Sequence, residues 1–492
     1  MLFVVGMLAA TWPMLSSGFA LMECDPADTR LINYLLEHDY RWLLGRAELW
    51  SPPFFHPERG VAAFTELMLA VVPLYAPWRL LGFEPDTSFQ LWMLCVLALN
   101  FVAAHALFRR ALAFEPLPAA AGAFVVAFGS SRLAQLNHQH LLPVFFFVVA
   151  VHAGVRLVQG GPRGWVPVLF AGLVLQFWAS LNVAWLACFW LAVLLLWSLA
   201  FAQTRAPLLA AVRKHALWLA LGTLASGALL APLALRYSGS ERSFSEAAGM
   251  VPRLHSWLYA GPHSVLYGWL ARWWATDAEG ELRLGVGFLT TLVMLLVLRQ
   301  RGWLRALGLT ALSIIALSTM YRGGWSPWAA VMEVVPGAAG IRAVGRIGML
   351  MLFPAGIAVA CFAARARKLG WAVVALCLAE QLQRVPDTYS KGGSRSDVAR
   401  VAAAVPSTCA SFFYVPRSEP RYDAKTHLDA MWASLWTGIP TVNGYSGRAP
   451  VGWDLLEHGE DADPVRLREA LSRWAASRGL AEEQVCWIAP AR

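Results

Sequence analysis

Twelve apolar runs dominate this sequence. They lie near 1–20, 64–82, 89–108, 117–131, 141–158, 165–180, 183–203, 215–236, 284–299, 303–320, 347–364 and 370–384. A helix needs roughly 17–25 apolar residues to cross the hydrocarbon of a bilayer, and most of these runs reach or approach that length. The whole chain is 58% hydrophobic and 14% charged, a balance that a soluble protein of 492 residues does not show. The expected fold is therefore all-α and polytopic, with about 11–12 hydrophobic segments. The first run lacks a basic start and a small-residue cleavage site before "MECDP", so it reads as a retained helix with a truncated start rather than a signal peptide.

The net charge of +9 does not point to nucleic acid, because the cations are scattered through short inter-helix loops. Loops holding Arg109, Arg110, Arg156, Arg163, Arg205, Arg213, Lys214, Arg299, Arg301, Arg305, Arg365, Arg367 and Lys368 carry one acid, Glu115. By the positive-inside rule they face the cytoplasm. The alternate set is the 21–60 loop, "SRLAQLNHQH", the 237–283 and 321–346 loops and the chain after about 385; its acids and bases are roughly balanced, and it faces outside. A full crossing by 64–82 would break this alternation, so that segment is re-entrant or the rule fails there.

The domain boundaries expected are 1–387 for the membrane domain, with an acidic first outer loop at 21–63, and 388–492 for a small extracytoplasmic α/β domain. "DTYSKGGSRSD" reads as a polar linker. "CASFFYVP" and "VCWIAP" read as strands, and "AKTHLDAMWASLWTG" and "DPVRLREALSRWAASRG" as helices with glycine stops. Cys95, Cys188, Cys361 and Cys377 fall in apolar helices, whereas Cys409 and Cys486 lie on the two strands. Outside the cytoplasm oxidation is permitted, so that pair forms a disulfide or remains two buried thiols.

Glu23, Asp25 and Asp28 crowd the mouth of the first apolar segment. If the chain turns helical at Pro26, Asp25 and Asp28 share one face at the helix start. Helix capping explains one aspartate. It does not explain three acids beside a membrane surface, where partial desolvation penalises uncompensated charge. The following "TRLINYLLEHDYRWLLG" has the spacing of a helix lying along the interface, with Arg30, Glu37 and His38 on its polar side. "ELWSPPFFHPERG" supplies an aromatic belt and a rigid turn, and its extended backbone is also suited to holding Glu48 and His56 toward a cleft.

Two further outer loops bring cations. "SRLAQLNHQH" sets Arg132, His138 and His140 at a helix mouth, the histidines at a spacing that suits a loop better than a helical metal pair. "GIRAVGRIG" sets Arg342 and Arg346 four apart on one helical face, where either snorkelling or phosphate binding suits them. "VNGYSGRAP" is a turn-rich loop whose Tyr445 and backbone amides are also suited to a saccharide or phosphate groove.

Four stretches taken in order, "CDPADTRL", "LWSPPFFHP", "GIRAVGRIGML" and "GIPTVNGYSGRAPVGW", resemble the polytopic GT-C superfamily of membrane glycosyltransferases, in the bacterial branch with a small C-terminal extracytoplasmic domain. Cys24 stands where such motifs commonly carry glycine. The resemblance implies an inverting enzyme that takes a sugar from a polyprenyl-phosphate donor to an envelope glycan or lipid acceptor. It implies that Asp25 or Asp28 is the general base. The leaving phosphate would then meet Arg342, Arg346 and Arg132, since cationic side chains stabilise that charge. Metal dependence is left open: the later outer loops offer only Glu241, Glu246, Asp277, Glu279, Glu281 and Glu333. The rival reading is a transporter or flippase of lipid-linked saccharides, which would show ionisable mid-membrane residues or a repeat in two halves. The sequence has no such repeat, and Gln176 and His105 are among its few mid-span polar residues. A purely structural envelope protein would need no acidic pair.

Overall fold

The computed structural model describes residues 1–492 apart from 240, 276–278, 385–386, 417–422, 456–463 and 490–492. Asp277 thus lies outside the described residues. The chain forms two compact units, Met1–Trp12 with Met93–Pro386, and Pro13–Trp92 with Asp387–Arg492. The first outer loop therefore groups with the C-terminal segment.

In the larger unit every apolar run is helical. Among the described residues five helices are long and apolar enough to cross a membrane: Pro85–Ala111, Gln139–Val158, Leu181–Ala200, Ala202–Tyr237 and Val344–Ala363. Leu2–Ser16, Trp165–Ala179, Phe288–Leu298, Trp303–Leu317 and Lys368–Ala379 are shorter apolar helices. The chain is an integral membrane protein. Small residues set its helix spacing: a Cβ on Gly122 of Pro116–Phe128 would lie 2.8 Å from the Gly356 carbonyl oxygen of Leu352–Ala363, and one on Gly356 would lie 2.7 Å from that of Gly122. Such close crossings let backbones pack where no hydrophobic force drives association.

Polar side chains in this unit serve interrupted backbone. Asn100 Nδ2 donates to the Leu142 carbonyl (2.8 Å) and its Oδ1 accepts from Val144 N–H (3.0 Å). Gln176 Oε1 accepts from Phe147 N–H (3.1 Å) and its Nε2 donates to the Pro143 carbonyl (2.8 Å). The start of helix Phe145–Val158 is thereby satisfied without water, as an apolar surrounding requires. Buried Glu380 accepts from Leu289 N–H (2.7 Å), Thr290 N–H (2.8 Å) and Tyr267 Oη (2.6 Å), capping Phe288–Leu298 with negative charge at the positive end of its dipole.

The smaller unit begins with a two-stranded antiparallel ladder, Leu21–Glu23 against Thr388–Ser390. The polar "linker" is thus a strand followed by helix Lys391–Ala404, started by Ser390 Oγ accepting from Gly393 N–H (3.1 Å). Two glycines and many charges hid it; Lys391 and Arg395 are ordered by Thr87, Gln90 and Asp86. The expected C-terminal elements are found as Ser411–Tyr414, Asp423–Thr437, Pro464–Ser477 and Val485–Ile488. The two strands pair in parallel, and Cys409 and Cys486 form a disulfide. Gly438 and Gly479, just past the helices, have φ of +74° and +70°, the left-handed ending that glycine favours.

One open alternative is narrowed here and two local expectations are corrected. The 64–82 run holds short 3-10 turns and one nine-residue helix, Val72–Leu80, too short to cross a bilayer. Helix Asp28–Leu43 does not lie on an interface with a wet polar face: Thr29 through Tyr40 are all buried. Its polar residues have internal partners from distant segments, which helical spacing alone does not reveal. Arg30 pairs with Asp429 at 2.7 Å, and Glu37 meets Arg41, Arg79 and Tyr75 at 2.8–3.3 Å. Nor are Phe54 and Phe55 a membrane belt, since both are buried, against Tyr34 and Trp453.

Arg30 and Asp429 are 4% and 5% exposed at their side chains, and Lys425 also reaches Asp429 at 2.8 Å. Removing one partner of such a buried pair leaves a charge stranded, at about 3–5 kcal/mol, while an apolar replacement of both is close to neutral. Asp429→Ala should therefore lower the thermal midpoint of the purified protein in detergent well below that of wild type. Arg30→Met with Asp429→Leu should recover most of the loss.

Candidate active site

The acidic loop is positioned by backbone pairing within the smaller unit. Thr441 N–H donates to the Pro53 carbonyl, Phe55 N–H to that of Asn443, and His56 N–H to that of Thr441, each at 3.0 Å. A Cβ on Gly444 would lie 2.2 Å from the Phe55 ring, so glycine is what lets the strip close. Asn443 is fixed in turn by Tyr414: its Oδ1 accepts from Tyr414 N–H (2.7 Å) and its Nδ2 donates to the Tyr414 carbonyl (3.1 Å). The next side chain, Tyr445, donates its hydroxyl to Asp28 Oδ1 at 2.9 Å.

The two aspartates differ in what holds them. Asp25 Oδ1 accepts from Ala27 N–H (2.8 Å) and Asp28 N–H (3.0 Å), a turn that launches the helix. That helix begins at Asp28 and not at Pro26, so Asp25 stands outside it and the pair does not share a helical face. Cys24, the residue found where glycine is common, has φ of +70°, the left-handed region where a Cβ is strained. Glu23 is buried; its Oε1 accepts from Met14 N–H (3.0 Å), beside the non-helical Thr11 and Pro13 of Leu2–Ser16. Burial raises its carboxyl from the usual 4.5 to about 7, against the pull of Met14 N–H. Burial likewise raises Asp39 to about 8, opposed by Met68 N–H.

A second cluster forms in the larger unit. Arg346 makes a two-pronged pair with Glu281, Nη2 to Oε1 at 2.8 Å and Nε to Oε2 at 3.2 Å, and His138 Nε2 lies 3.7 Å from Oε1. Gln135 Nε2 donates to the Gly280 carbonyl (3.0 Å) and to Glu281 Oε2 (3.4 Å). Its Oε1 therefore faces His138 Nδ1 at 3.0 Å, which must carry the proton. Burial would raise the Glu281 carboxyl, but Arg346, His138 and Arg342 together hold it below the usual range. Gly345 makes the approach possible: a Cβ there would sit 2.0 Å from the Glu281 carbonyl oxygen.

Of the residues expected from sequence, Asp28 and Tyr445 meet, and His138 and Arg346 both approach Glu281. His140 joins its neighbour ring to ring at 6.0 Å. Arg342 is exposed and precedes the 3-10 turn Val344–Met351, so it shares no α-helical face with Arg346. Arg132 is not at an open mouth: it is 1% exposed, donates to the carbonyls of Val126 (3.1 Å) and Leu142 (3.4 Å), and is lowered to about 10 by burial. Glu48 is exposed, and its carbonyl accepts from His38. The His56 carbonyl accepts from Trp474 Nε1 (2.9 Å), and burial lowers the His56 imidazole. Sequence reading missed Gln135 and the role of Glu281, which no local motif marks. Among the described residues no three His, Cys, Asp or Glu side chains gather as a metal site.

These features define an α-helical polytopic membrane protein whose acidic first loop is built into a small α/β unit. No family model matches the chain, and no curated protein matches it. Eight chains of solved structures match. One is the crystal structure of ArnT from Cupriavidus metallidurans in the apo state, 13% identical, with a TM-score of 0.41, covering 95% of this chain and 88% of that one. A likeness at that level carries nothing about chemistry.

Two predictions follow from these geometries. Because the folded-state pKa of Glu23 lies above its unfolded value, its contribution to stability is fully present below about pH 4.5 and is lost as pH rises through 7. Glu23→Gln keeps the acceptor for Met14, so between pH 5 and 8 the variant should lose less stability than wild type, by up to roughly 3 kcal/mol. Equilibrium unfolding at several pH values checks this. Gly345→Ala must push the Glu281 turn away, at about 1–3 kcal/mol. Its stability deficit should shrink when combined with Glu281→Gln, because the pair being disturbed is already gone.

Proposed function

We propose that this protein is a GT-C-type glycosyltransferase, inverting, which moves a sugar from a polyprenyl-phosphate donor to an extracytoplasmic acceptor, an envelope glycan or lipid. Asp28 is the general base. It takes the acceptor hydroxyl's proton as that oxygen bonds to the anomeric carbon and the bond from that carbon to the phosphate oxygen breaks, releasing polyprenyl phosphate. The observation that carries this reading is the hydrogen bond from Tyr445 to Asp28. It joins the first and last of the four stretches on which the resemblance rests, 417 residues apart.

Asp28 is favoured over Asp25 because the Tyr445 hydroxyl, from the last of the four stretches, reaches it, whereas Asp25 Oδ1 accepts from Ala27 and Asp28 N–H. In this reading Arg346, Arg342 and His138 serve the donor phosphate; what supports it is that an arginine fork fits a phosphate as Arg346 fits the Glu281 carboxylate. The cation-rich loops support a bacterial cytoplasmic-membrane location with the C-terminal segment outside.

The test is transfer of radiolabelled sugar from a panel of polyprenyl-phosphate sugars into envelope material, by membranes with matched amounts of protein. Asp28→Asn should lose at least a hundredfold in transfer. Asp25→Asn keeps the oxygen that accepts from Ala27 and Asp28 N–H and should keep most of its stability and activity. Tyr445→Phe should lower kcat by about tenfold with KM little changed, since the base is then held less firmly. Wild-type rates from Asp28→Asn would overturn the assignment.

A further inference from the structure

The segment 263–275 crosses nothing, yet it is bolted to the ends of two apolar helices. Arg384 N–H donates to the His263 carbonyl (2.8 Å) and Val265 N–H to that of Leu382 (3.1 Å). The Tyr267 ring packs on Phe288, the first residue of Phe288–Leu298, at 4.9 Å, and its hydroxyl donates to Glu380, the residue after Lys368–Ala379. Glu380 also accepts from Leu289 and Thr290 N–H, so one helix begins where the other ends. The segment thus stands at the level where two apolar helices leave the hydrocarbon.

At that level it exposes a patch that water does not favour. Val265, Leu266, Trp269 and Trp273 are 44%, 39%, 55% and 61% exposed. Arg272 lies against Trp273, its guanidinium carbon 3.8 Å from that ring centre and 5.9 Å from that of Trp269, the two indoles themselves meeting edge to face at 5.6 Å. We propose that this patch is a phospholipid-binding surface: the indoles lie in the headgroup layer of the bilayer, and Arg272, fixed by the rings, binds a lipid phosphodiester. Tryptophan suits that layer because one edge is apolar and the other donates a hydrogen bond. A stacked guanidinium keeps donors free for phosphate. The inference is independent of the catalytic reading, and the lipid it names is bulk phospholipid.

The wild-type protein in phosphatidylcholine nanodiscs, doped with a phospholipid bearing a diazirine beside the headgroup or at the acyl-chain end, provides the test by peptide mapping after photolysis. The headgroup probe should label 265–274. The chain-end probe should label Ala202–Tyr237, the long helix with many exposed leucines. Labelling of that helix with none in 265–274 by either probe would overturn the proposal, as would stronger labelling of 265–274 by the chain-end probe. Arg272→Gln should cut headgroup labelling of the segment at least threefold and leave the long helix unchanged; equal labelling of the segment would remove Arg272 from the phosphate contact.

Discussion

Three backbone hydrogen bonds between residues 53–56 and 441–443 join the first outer loop to the C-terminal fold, and the candidate base depends on them. They place the Phe55 ring on Gly444, where a Cβ has no room. With that ring seated, Trp453 and Phe54 close around it and the chain leaves Gly444 toward Asp28. A side chain at 444 would lift the strip and take Tyr445 with it. The acidic loop is therefore as well held as a core strand, although nearly four hundred residues separate it from its partner.

In the larger unit the problem is different: backbone groups released at helix breaks must find partners without water. Asn100, Gln176, Glu380 and Arg132 solve it in one way, each side chain meeting carbonyls or N–H groups exposed by a break. Gln176 is thus explained as a cap for Phe145–Val158, and as a mid-span polar residue it needs no transport pathway. Arg132 is the costly member of the set. Burial works against its charge, and two carbonyls compensate for part of that.

What could be read in the sequence is what depends on neighbours in the chain. Apolar runs marked the helices, and glycine stops and strand patterns located Ser411–Tyr414, Asp423–Thr437, Pro464–Ser477 and Val485–Ile488. What could not be read depends on segments far apart. Arg30, Glu37 and His38 looked like a wet helix face because Asp429, Arg79 and the Glu48 carbonyl could not be placed beside them. Lys391–Ala404 looked like a linker because its order comes from Asp86, Thr87 and Gln90. At the site, Asp28 and Tyr445 were legible as residues with suitable chemistry; their contact was not. Glu281 was one acid among several until Gly345 brought Arg346 against it.

The contrast between Asp25 and Asp28 bears on why the loop is acidic at all. A carboxylate that caps backbone N–H groups gains its worth from staying where it is, and its lone pairs are directed at the chain. A base must instead have its orientation fixed from elsewhere in the fold. Asp25 meets the first description through Ala27 and Asp28 N–H; Asp28, half-buried, is held through the Tyr445 hydroxyl, as the proposed base requires. Glu23, enclosed, likewise accepts a backbone N–H, that of Met14. Three acids in six residues thus divide into a lock on the first helix, a cap that starts the second, and one carboxylate tied through Tyr445 to the C-terminal segment.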